Sequence, residues 1–506
     1  MTEPAADGSW KSPGRGLGTA LADIARTIGS PVPIESVRVT GASDDSRTVR
    51  PGDLYLAFPG SHGHGLNHEL EAYERGAVAV LSDRPSTVLP TVVVDDPRRS
   101  AGAVCALIHD FPADAMDVYG VTGTNGKTST ALLLAAGLEA SGETVGTMTG
   151  IGLAGPTTWS PTARTTPEAA TVQRTLGRFR DEGATAVALE VSSHAVSEHR
   201  IDGMRFSAVG FTNLGPDHLD YHGSMDRYFA AKAELFAAHR TAAAAVGIDD
   251  VYGRRLAQLV DVPCWRWSVL DIRAEVFGEH IECTGVDTTM TVRTPTGSID
   301  VRLPLLGPHQ AGNALAALAT ALAAGKDLAV VAAGLESVRS VPGRLEKVDA
   351  GQPFLALVDY MHNTAGQRRL LPFVRTLVTG RVIVVVGATG ERDPGKRFPL
   401  GATAAELADV VIVSDESPLS EDADTIRAAV AEGARAARSA SVVVEPDRRT
   451  ALALAVQMAE PDDVVVVAGR GCDTEQAYGR DIVEFDDRVV LREVLKDLGR
   501  ETGDRL

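Results

Sequence analysis

A run of glycine, hydroxyl and amide residues, Gly120-Val121-Thr122-Gly123-Thr124-Asn125-Gly126-Lys127-Thr128-Ser129-Thr130, stands between an apolar stretch and an alanine- and leucine-rich segment. These residue types in this order fit a loop that cradles phosphate. Glycines let the backbone turn tightly enough to aim several N–H groups at one anion, and the N-terminus of the following helix adds partial positive charge. Lys127 can reach terminal phosphates, and the Thr128 hydroxyl can ligate magnesium. Gly120 lies six residues before Gly126, not five, with Gly123 halfway, so the motif is a Gly-x-x-Gly-Thr-Asn-Gly-Lys-Thr variant. The plain alternative is a glycine-rich turn before a helix, and the Lys-Thr pair directly after the last glycine weighs against it. The chain is expected to handle a nucleoside triphosphate.

Four other constellations could carry chemistry. Glu190-Val191-Ser192-Ser193-His194 follows an apolar strand; if that strand neighbours the phosphate loop, Glu190 is a candidate magnesium ligand. Thr212 to Gly223 holds Asn213, Asp217, His218, Asp220 and His222 directly after another apolar strand, where a solvated loop is the bland reading. Lys232 sits in a helical stretch, Tyr228 to Phe236, on which most lysines face solvent. Asp359 and His362, three residues apart at a strand end, could hold a ribose, an adenine or a metal, or simply cap the next helix.

Positioning these groups calls for parallel sheets. Apolar runs such as Ala186 to Leu189 and Ala208 to Phe211, each followed by a polar cluster, have the rhythm of a sheet whose functional groups lie at the carboxyl ends of its strands. Three parts follow from composition and pattern: 1–112, a small α/β unit with strands Val78 to Leu81 and Thr91 to Val94; 113–340, the phosphate-loop part; and 341–506, a second doubly wound α/β domain with strands Val382 to Val386, Val410 to Val413 and Val464 to Ala468. Asn313 to Leu335 reads as alanine-rich helices, and Val341-Pro342-Gly343-Arg344 as a linker.

The 506 residues, 44% of them apolar, are enough for about three cores. A net charge of −18 argues against a general nucleic-acid binder, so any anionic substrate must be gripped by local groups. Four scattered cysteines indicate neither a disulfide framework nor a zinc ribbon. The first dozen residues, with Lys11 among them and Arg15 just beyond, are expected to be disordered and lack the apolar core of a signal peptide. No run approaches the ~18 apolar residues of a membrane span. A cytoplasmic, monomeric protein without membrane or nucleic-acid partners is the expectation.

Together these segments resemble the Mur ligases, and among them the group that adds the third amino acid in peptidoglycan synthesis, the UDP-N-acetylmuramoyl-tripeptide synthetases. The resemblance runs from Asp45-Ser46-Arg47 through the phosphate loop, Thr165-Thr166-Pro167, Glu190 to His194, Asn213 to Gly223, Lys232, Gly343-Arg344, Asp359 to His362, Asp393 to Arg397 and Gly469-Arg470-Gly471 to Phe485-Asp486-Asp487-Arg488. It implies three domains: an N-terminal one for the uridine nucleotide, a central P-loop ATPase with a parallel sheet, and a C-terminal Rossmann-like one delivering the amine. It also implies an ADP-forming ligase using ATP and Mg2+, which makes an acyl phosphate from a carboxylate and passes the acyl group to an amino acid.

The residue roles implied by the resemblance are specific. Gly123 to Ser129 would hold the phosphates, with Lys127 and magnesium on Thr128 neutralising them. A second magnesium would sit on Glu190 and His218, and Lys232 would be carbamylated and face the metal. Asn313 would lie near the adenine, and Arg344, Asp359 and His362 would close around ATP. Thr165, Thr166, Ser192 and Arg200 would grip the muramoyl-peptide and Ser46 the uridine nucleotide. Arg392, Asp415, Gly469 and Asp473 would face the incoming amino acid.

Departures from the family pattern gather around the substrates. Diaminopimelate-adding members carry Asp-Asn-Pro-Arg, whose arginine clamps the distal carboxylate; here Ser414-Asp415-Glu416-Ser417-Pro418-Leu419 has leucine in that place. Gly-Lys-Gly-His-Glu becomes Gly469-Arg470-Gly471-Cys472-Asp473, and the glutamine usually two before Arg200 is Glu198. Asp-Tyr-Ala-His-Thr-Pro becomes Asp359-Tyr360-Met361-His362-Asn363-Thr364, Gly-x-Phe-Asn becomes Gly307-Pro308-His309-Gln310, and the uridine loop has His64-Gly65 for Asp-Gly. The expectation is a working amide ligase of altered selectivity. The rivals are the ordinary wall enzyme, a specialised-metabolism relative acting on another acid and amine, and a non-catalytic nucleotide-binding scaffold; an oxidoreductase is weaker still, since Val386-Gly387-Ala388-Thr389-Gly390 lacks the third glycine of a nicotinamide site.

Overall fold

Apolar runs buried on both faces, such as Ala186–Glu190, Val382–Val386, Val410–Val413 and Val464–Ala468, form the central parallel strands of this chain, as expected where helices cover both sides of a sheet. The computed structural model describes residues 18–31, 36–60, 63–162 and 164–503. The expectation for the N-terminus around Lys11 and Arg15 therefore falls outside the described residues. Packing divides the chain into two compact units: Met1–Gly278 with Val292–Ile299 and Gly312–Leu335, and Glu279–Thr291 with Asp300–Ala311 and Glu336–Leu506.

The first unit holds two parallel sheets. The N-terminal one runs Gly41–Ser43, Asp53–Leu56, Ala79–Ser82, Thr91–Val93, around a core that includes Leu54, Leu56, Leu81 and Val104. In the larger sheet, Val145–Thr149, Ala186–Glu190, Asp117–Thr122, Ala208–Phe211, Ala244–Gly247 and Cys264–Ser268 are parallel neighbours in that order. Strand Asp117–Thr122 thus has a neighbour of later sequence on each side, which makes it a topological switch point, where the chain leaves a crevice at the carboxyl edge. Glu190 pairs in register with Val121 and Phe211 with Thr122, so three strand ends open together there.

The second unit is a six-stranded sheet in the order Glu346–Lys347, Leu355–Asp359, Val464–Ala468, Val382–Val386, Val410–Val413, Ser441–Val444, parallel except for the first pair. Arg448 and Asp487, both fully buried, meet through two bonds of 2.7 Å, and Arg448 Nη2 also donates to Ala468 O at 3.0 Å. That ion pair fastens a helix start to the carboxyl end of a central strand.

Strands Val382–Val386, Val410–Val413 and Val464–Ala468 fall where the apolar runs place them. The alanine-rich stretch is two helices, His309–Ala323 and Leu328–Glu336. Gly325, at φ +80, turns the chain between them, and the Asp327 carboxylate accepts from Ala329 N and Val330 N. The protein is α/β throughout, and among the described residues no helix is long and apolar enough to cross a membrane.

Candidate active site

The phosphate loop joins strand Asp117–Thr122 to helix Lys127–Ala140. Two glycines shape it. A Cβ on Gly123 (φ +146) would stand 1.9 Å from Thr212 Oγ1, and one on Gly126 (φ +90) 2.3 Å from Asn313 Oδ1. The neighbouring strand end straps the loop: Thr212 Oγ1 donates to Asn125 O at 2.7 Å, Asn213 Oδ1 accepts from Asn125 N at 3.1 Å and its Nδ2 donates to Asn125 O at 3.0 Å. Thr124 N donates to Asn213 O at 2.8 Å. Thr128 and Ser129 are buried at the first turn of the helix. Asn313 lies against the loop, where the family resemblance puts it near the nucleotide, while Thr212 and Asn213 add a strap that no motif count identifies.

Lys127 Nζ folds over the loop, donating to Gly123 O at 3.1 Å and Thr124 O at 2.9 Å. Lys232 Nζ donates to the same Gly123 O at 2.8 Å and approaches Thr122 Oγ1 at 3.5 Å. Far from facing solvent, Lys232 is 1% exposed. Burial holds its amine well below the usual lysine range, the Lys127 charge adds to that effect, and Asp217 opposes it. Tyr228, one helical turn earlier, places its ring 4.8 Å from Lys232 Nζ and its hydroxyl 3.2 Å from Thr124 Oγ1.

On the far side of Tyr228 lies a histidine cluster. His218, in the left-handed region at φ +52, packs against His194 (centroids 4.9 Å) and Tyr228 (6.2 Å). Burial pushes His194 and His222 down to about 4, with the neighbouring imidazoles contributing, and holds His218 below its ordinary value against the pull of Asp217. Glu190 Oε1 accepts from Gly150 N at 3.1 Å. Among the described residues, no three His, Cys, Asp or Glu side chains converge on one metal position. Thr128 for one ion, and Glu190 with His218 for another, are sparse donors of the kind magnesium tolerates, since it keeps several waters and takes much of its shell from substrate phosphates.

Next to Glu190 lies a charged groove. Thr166 Oγ1 donates to Glu190 O at 2.9 Å and accepts from Ser192 N at 3.0 Å, while Ser192 Oγ caps its short helix by accepting from Ala195 N. Thr165 lies beside Gly150. Arg200 is buried: Nη1 donates to Thr166 O at 3.1 Å, Nε to Glu198 at 3.1 Å, and Nη2 to Glu198 at 2.5 Å, with Glu168 3.1 Å from Nε. Arg98, stacked 4.6 Å over Phe58 and 3.5 Å from Glu168, belongs to the same group. Only its place at the start of helix Pro97–Ile108 marks it in the sequence. Ser46 Oγ donates to Glu71 at 2.7 Å, and His64 is held by Asp83 and Leu66 N.

In the second unit, Arg344 stacks 4.3 Å over Tyr360, His362 Nδ1 lies 2.9 Å from Tyr360 O, and Asp359 accepts from Leu345 N at 2.7 Å. Burial raises Asp359 to about 6 in spite of Arg344. Gly469 N donates to Asp359 O at 3.1 Å, so the loop that opens at Gly469 starts directly beside this group. Arg392 is exposed. Asp415 is buried in an ion pair with Arg427, and Arg397 spends Nη2 on both oxygens of Glu421 at 2.8 Å. Neither Asp415 nor Arg397 offers the open charge that its motif suggests. Asp473 stays exposed, yet the protein around it and then Glu416 push its pKa up to about 6 against Arg470 and Arg344.

A switch-point phosphate loop, a buried amine on its carbonyl and a second α/β unit define an ATP-dependent, ADP-forming amide ligase. The family models for the Mur ligase family catalytic domain, the Mur ligase middle domain and the Mur ligase glutamate ligase domain match residues 38–116, 121–321 and 343–471. The chain belongs to the Mur ligase family. It is 41% identical over 499 residues to the UDP-N-acetylmuramoyl-L-alanyl-D-glutamate--2,6-diaminopimelate ligase of Streptomyces coelicolor, covering 94% of this chain and 96% of the relative. The enzyme of the same name from Corynebacterium efficiens is 40% identical over 506 residues, covering 95% of each. A solved structure under that name aligns with TM-score 0.64 and 27% identity over 96% of this chain and all of that one.

Proposed function

We propose that this ligase joins an amino acid to the carboxylate of UDP-N-acetylmuramoyl-dipeptide, the kind of acid in its relatives' names. One carboxylate oxygen attacks the γ-phosphorus of ATP and ADP leaves. The amine nitrogen then attacks the acyl carbon of the resulting acyl phosphate, releasing phosphate and a proton. In this reading residues 1–112 bind the uridine nucleotide through groups that include Ser46, 113–340 bind ATP, and 341–506 bind the amino acid.

The observation that carries the proposal is the shared Gly123 carbonyl. Two ammonium groups on one oxygen repel, and only Lys232 is buried enough to give up its charge. A neutral amine there can add CO2 and lose a proton, and the carbamate so formed is an anion that offsets Lys127 and offers oxygen to a hard cation. One magnesium at Thr128 and a second at Glu190, His218 and that carbamate would neutralise phosphate and carboxylate as they meet. Lys127 turns from the loop carbonyls to the terminal phosphates, the strap of Thr212 and Asn213 keeps the amides aligned, and Thr165, Thr166 and Ser192 position the acid. Asn313 contributes to the adenine site, and in the second unit Arg344, Asp359 and His362 bind the nucleotide.

A second reading has its own observation. Arg200, the cation for the acid, is neutralised by Glu198 and Glu168, which favours an acid less anionic than muramoyl-dipeptide and a role in specialised metabolism. Incubating the purified protein with magnesium ATP, UDP-N-acetylmuramoyl-dipeptide and an amino-acid panel, with mass detection, tests both. An amide product carrying the UDP-sugar supports the first reading. Amide formation only with other acids supports the second, and ATP turnover indifferent to added acid refutes both.

A further inference from the structure

The groove beside Glu190 holds as many acids as cations. Arg200, 7% exposed, is gripped by two of them: Glu198 Oε2 accepts from Nε at 3.1 Å and from Nη2 at 2.5 Å, and Glu168 Oε1 stands 3.1 Å from Nε. Arg164 is paired with Glu168. Arg98 Nη1 lies 3.5 Å from Glu168 and 3.8 Å from Glu198 without a hydrogen bond to either. Asp44 lies in the field of Arg164 and then Arg98. Three guanidinium groups therefore face three carboxyl groups.

A further anion brought into this group meets no surplus cation. It must take Arg200 from its acids, which leaves a partly buried carboxylate uncompensated, or add negative charge to a balanced set. Arg98 does not change that sum, because both acids already draw on it. A neutral group that accepts on one side and donates on the other fits better. Arg200 Nη1 spends one N–H on Thr166 O at 3.1 Å and Nη2 spends one on Glu198, so each keeps a second N–H for a carbonyl oxygen. Glu198 Oε1 accepts, among the described residues, only the Tyr221 hydroxyl at 3.4 Å, which leaves it open to a donor.

We propose that Arg200 and Glu198 together receive a primary amide of the acid substrate, its oxygen accepting from Arg200 and its NH2 donating to Glu198 Oε1. The acid then carries a single carboxylate, the one that reacts. This deepens, and rests on, the reading of an acid less anionic than muramoyl-dipeptide. Glu198 stands where the family pattern has glutamine, whose neutral side chain would leave Arg200 with Glu168 as its one close acid and room for an anion. The exchange of that glutamine for glutamate makes Glu198 the residue that sets selectivity for the acid.

The test compares UDP-N-acetylmuramoyl-L-alanyl-D-glutamate with the same compound whose non-reacting carboxylate is a primary amide, each supplied with magnesium ATP and an amino-acid panel, with products identified by mass. One charge-assisted hydrogen bond gained and one like-charge contact avoided predict that the amide exceeds the dicarboxylate in kcat/KM by roughly 10- to 100-fold. Glu198→Gln should lower that ratio at least about tenfold, mainly by lowering the KM for the dicarboxylate. Tighter binding of one substrate is a gain that a misfolded variant does not produce. Equal use of the two acids, preference for the dicarboxylate, or a ratio unchanged in Glu198→Gln overturns the inference and leaves the ligase reading standing. Ligation of neither compound, while an acid without the nucleotide is accepted, overturns the inference together with the uridine assignment of residues 1–112.

Discussion

Lys127 and Lys232 share one carbonyl oxygen but have different surroundings, and their variants should fail differently. Lys127→Ala removes the charge that faces the terminal phosphates and little packing. We expect ligation to fall by at least about a hundredfold, with an unchanged unfolding midpoint. Near-normal turnover in the purified variant would show that this loop does not hold the nucleotide. Lys232→Ala should also lose most activity, and a short carboxylic acid placed in the vacated space should restore part of it, because what is missing is an anionic ligand. Side-chain density ending in a bare amine under CO2-equilibrated conditions, together with no rescue, would remove the carbamate. Asp359 supplies a test by pH. Its folded pKa of about 6 lies above the unfolded value near 4, so the native state binds the proton more tightly, and stability is lost as pH rises through that window. The loss is about 3 kcal/mol at most. Asp359→Asn should therefore gain on the unmodified protein between pH 4 and 6 in urea unfolding; a pH-independent difference would show that the carboxyl titrates normally.

At the scale of elements, the phosphate loop depends on the strand end beside it. Gly123→Ala puts a methyl where Thr212 Oγ1 stands and asks alanine for φ +146, so Thr212 must leave Asn125 O. We expect ADP affinity, measured by calorimetry, to fall by about tenfold or more, with a smaller drop in melting temperature. Wild-type affinity in that variant would mean that the strap does not hold the loop. The loop and the buried valine strands are legible in the sequence because both are local patterns: a spacing of glycines, and runs apolar on both faces. Lys232 is not legible in that way. Nothing in Tyr228 to Phe236 announces that its helix docks against the phosphate loop, and only the four-residue spacing of Tyr228 and Lys232, one helical turn, hints at a shared face. Asp415 and Arg200 show the converse. The family resemblance places both beside substrate, but partners from other elements, Arg427 and Glu168, neutralise them through contacts that spacing does not reveal. The alanine-rich stretch reads as helices and is two, because Gly325 and Asp327 supply a turn and a cap between them.

For the whole molecule, 41% identity spread over 94% of the chain fixes the family, while selectivity within a family rests on a few side chains. The segment after strand Val410–Val413 is the decisive one. The family resemblance puts Leu419 where diaminopimelate-adding members carry a clamping arginine; it lies at φ +55 and is tied by its N–H to Ala477 O at 3.0 Å, so the hairpin Glu475–Tyr478 and Asp481–Glu484 fixes its position. Around it lie Glu416 and Asp473, both acidic, while Arg397 is bound to Glu421 and Arg427 to Asp415. A distal carboxylate entering there meets two acids and, at Leu419 itself, no guanidinium to clamp it; Arg470, with Nε and Nη1 lacking hydrogen-bond partners among the described residues, is the remaining cation nearby. Loss of one bidentate arginine contact is worth roughly 1.5–3 kcal/mol, or one to two orders of magnitude in affinity. Diaminopimelate should therefore be a poor substrate beside lysine when the two compete for UDP-N-acetylmuramoyl-dipeptide with products resolved by mass. Leu419→Arg should move the preference toward diaminopimelate by about tenfold. Preferred incorporation of diaminopimelate by the unmodified protein would refute the selectivity argument and give this chain the activity for which its relatives are named.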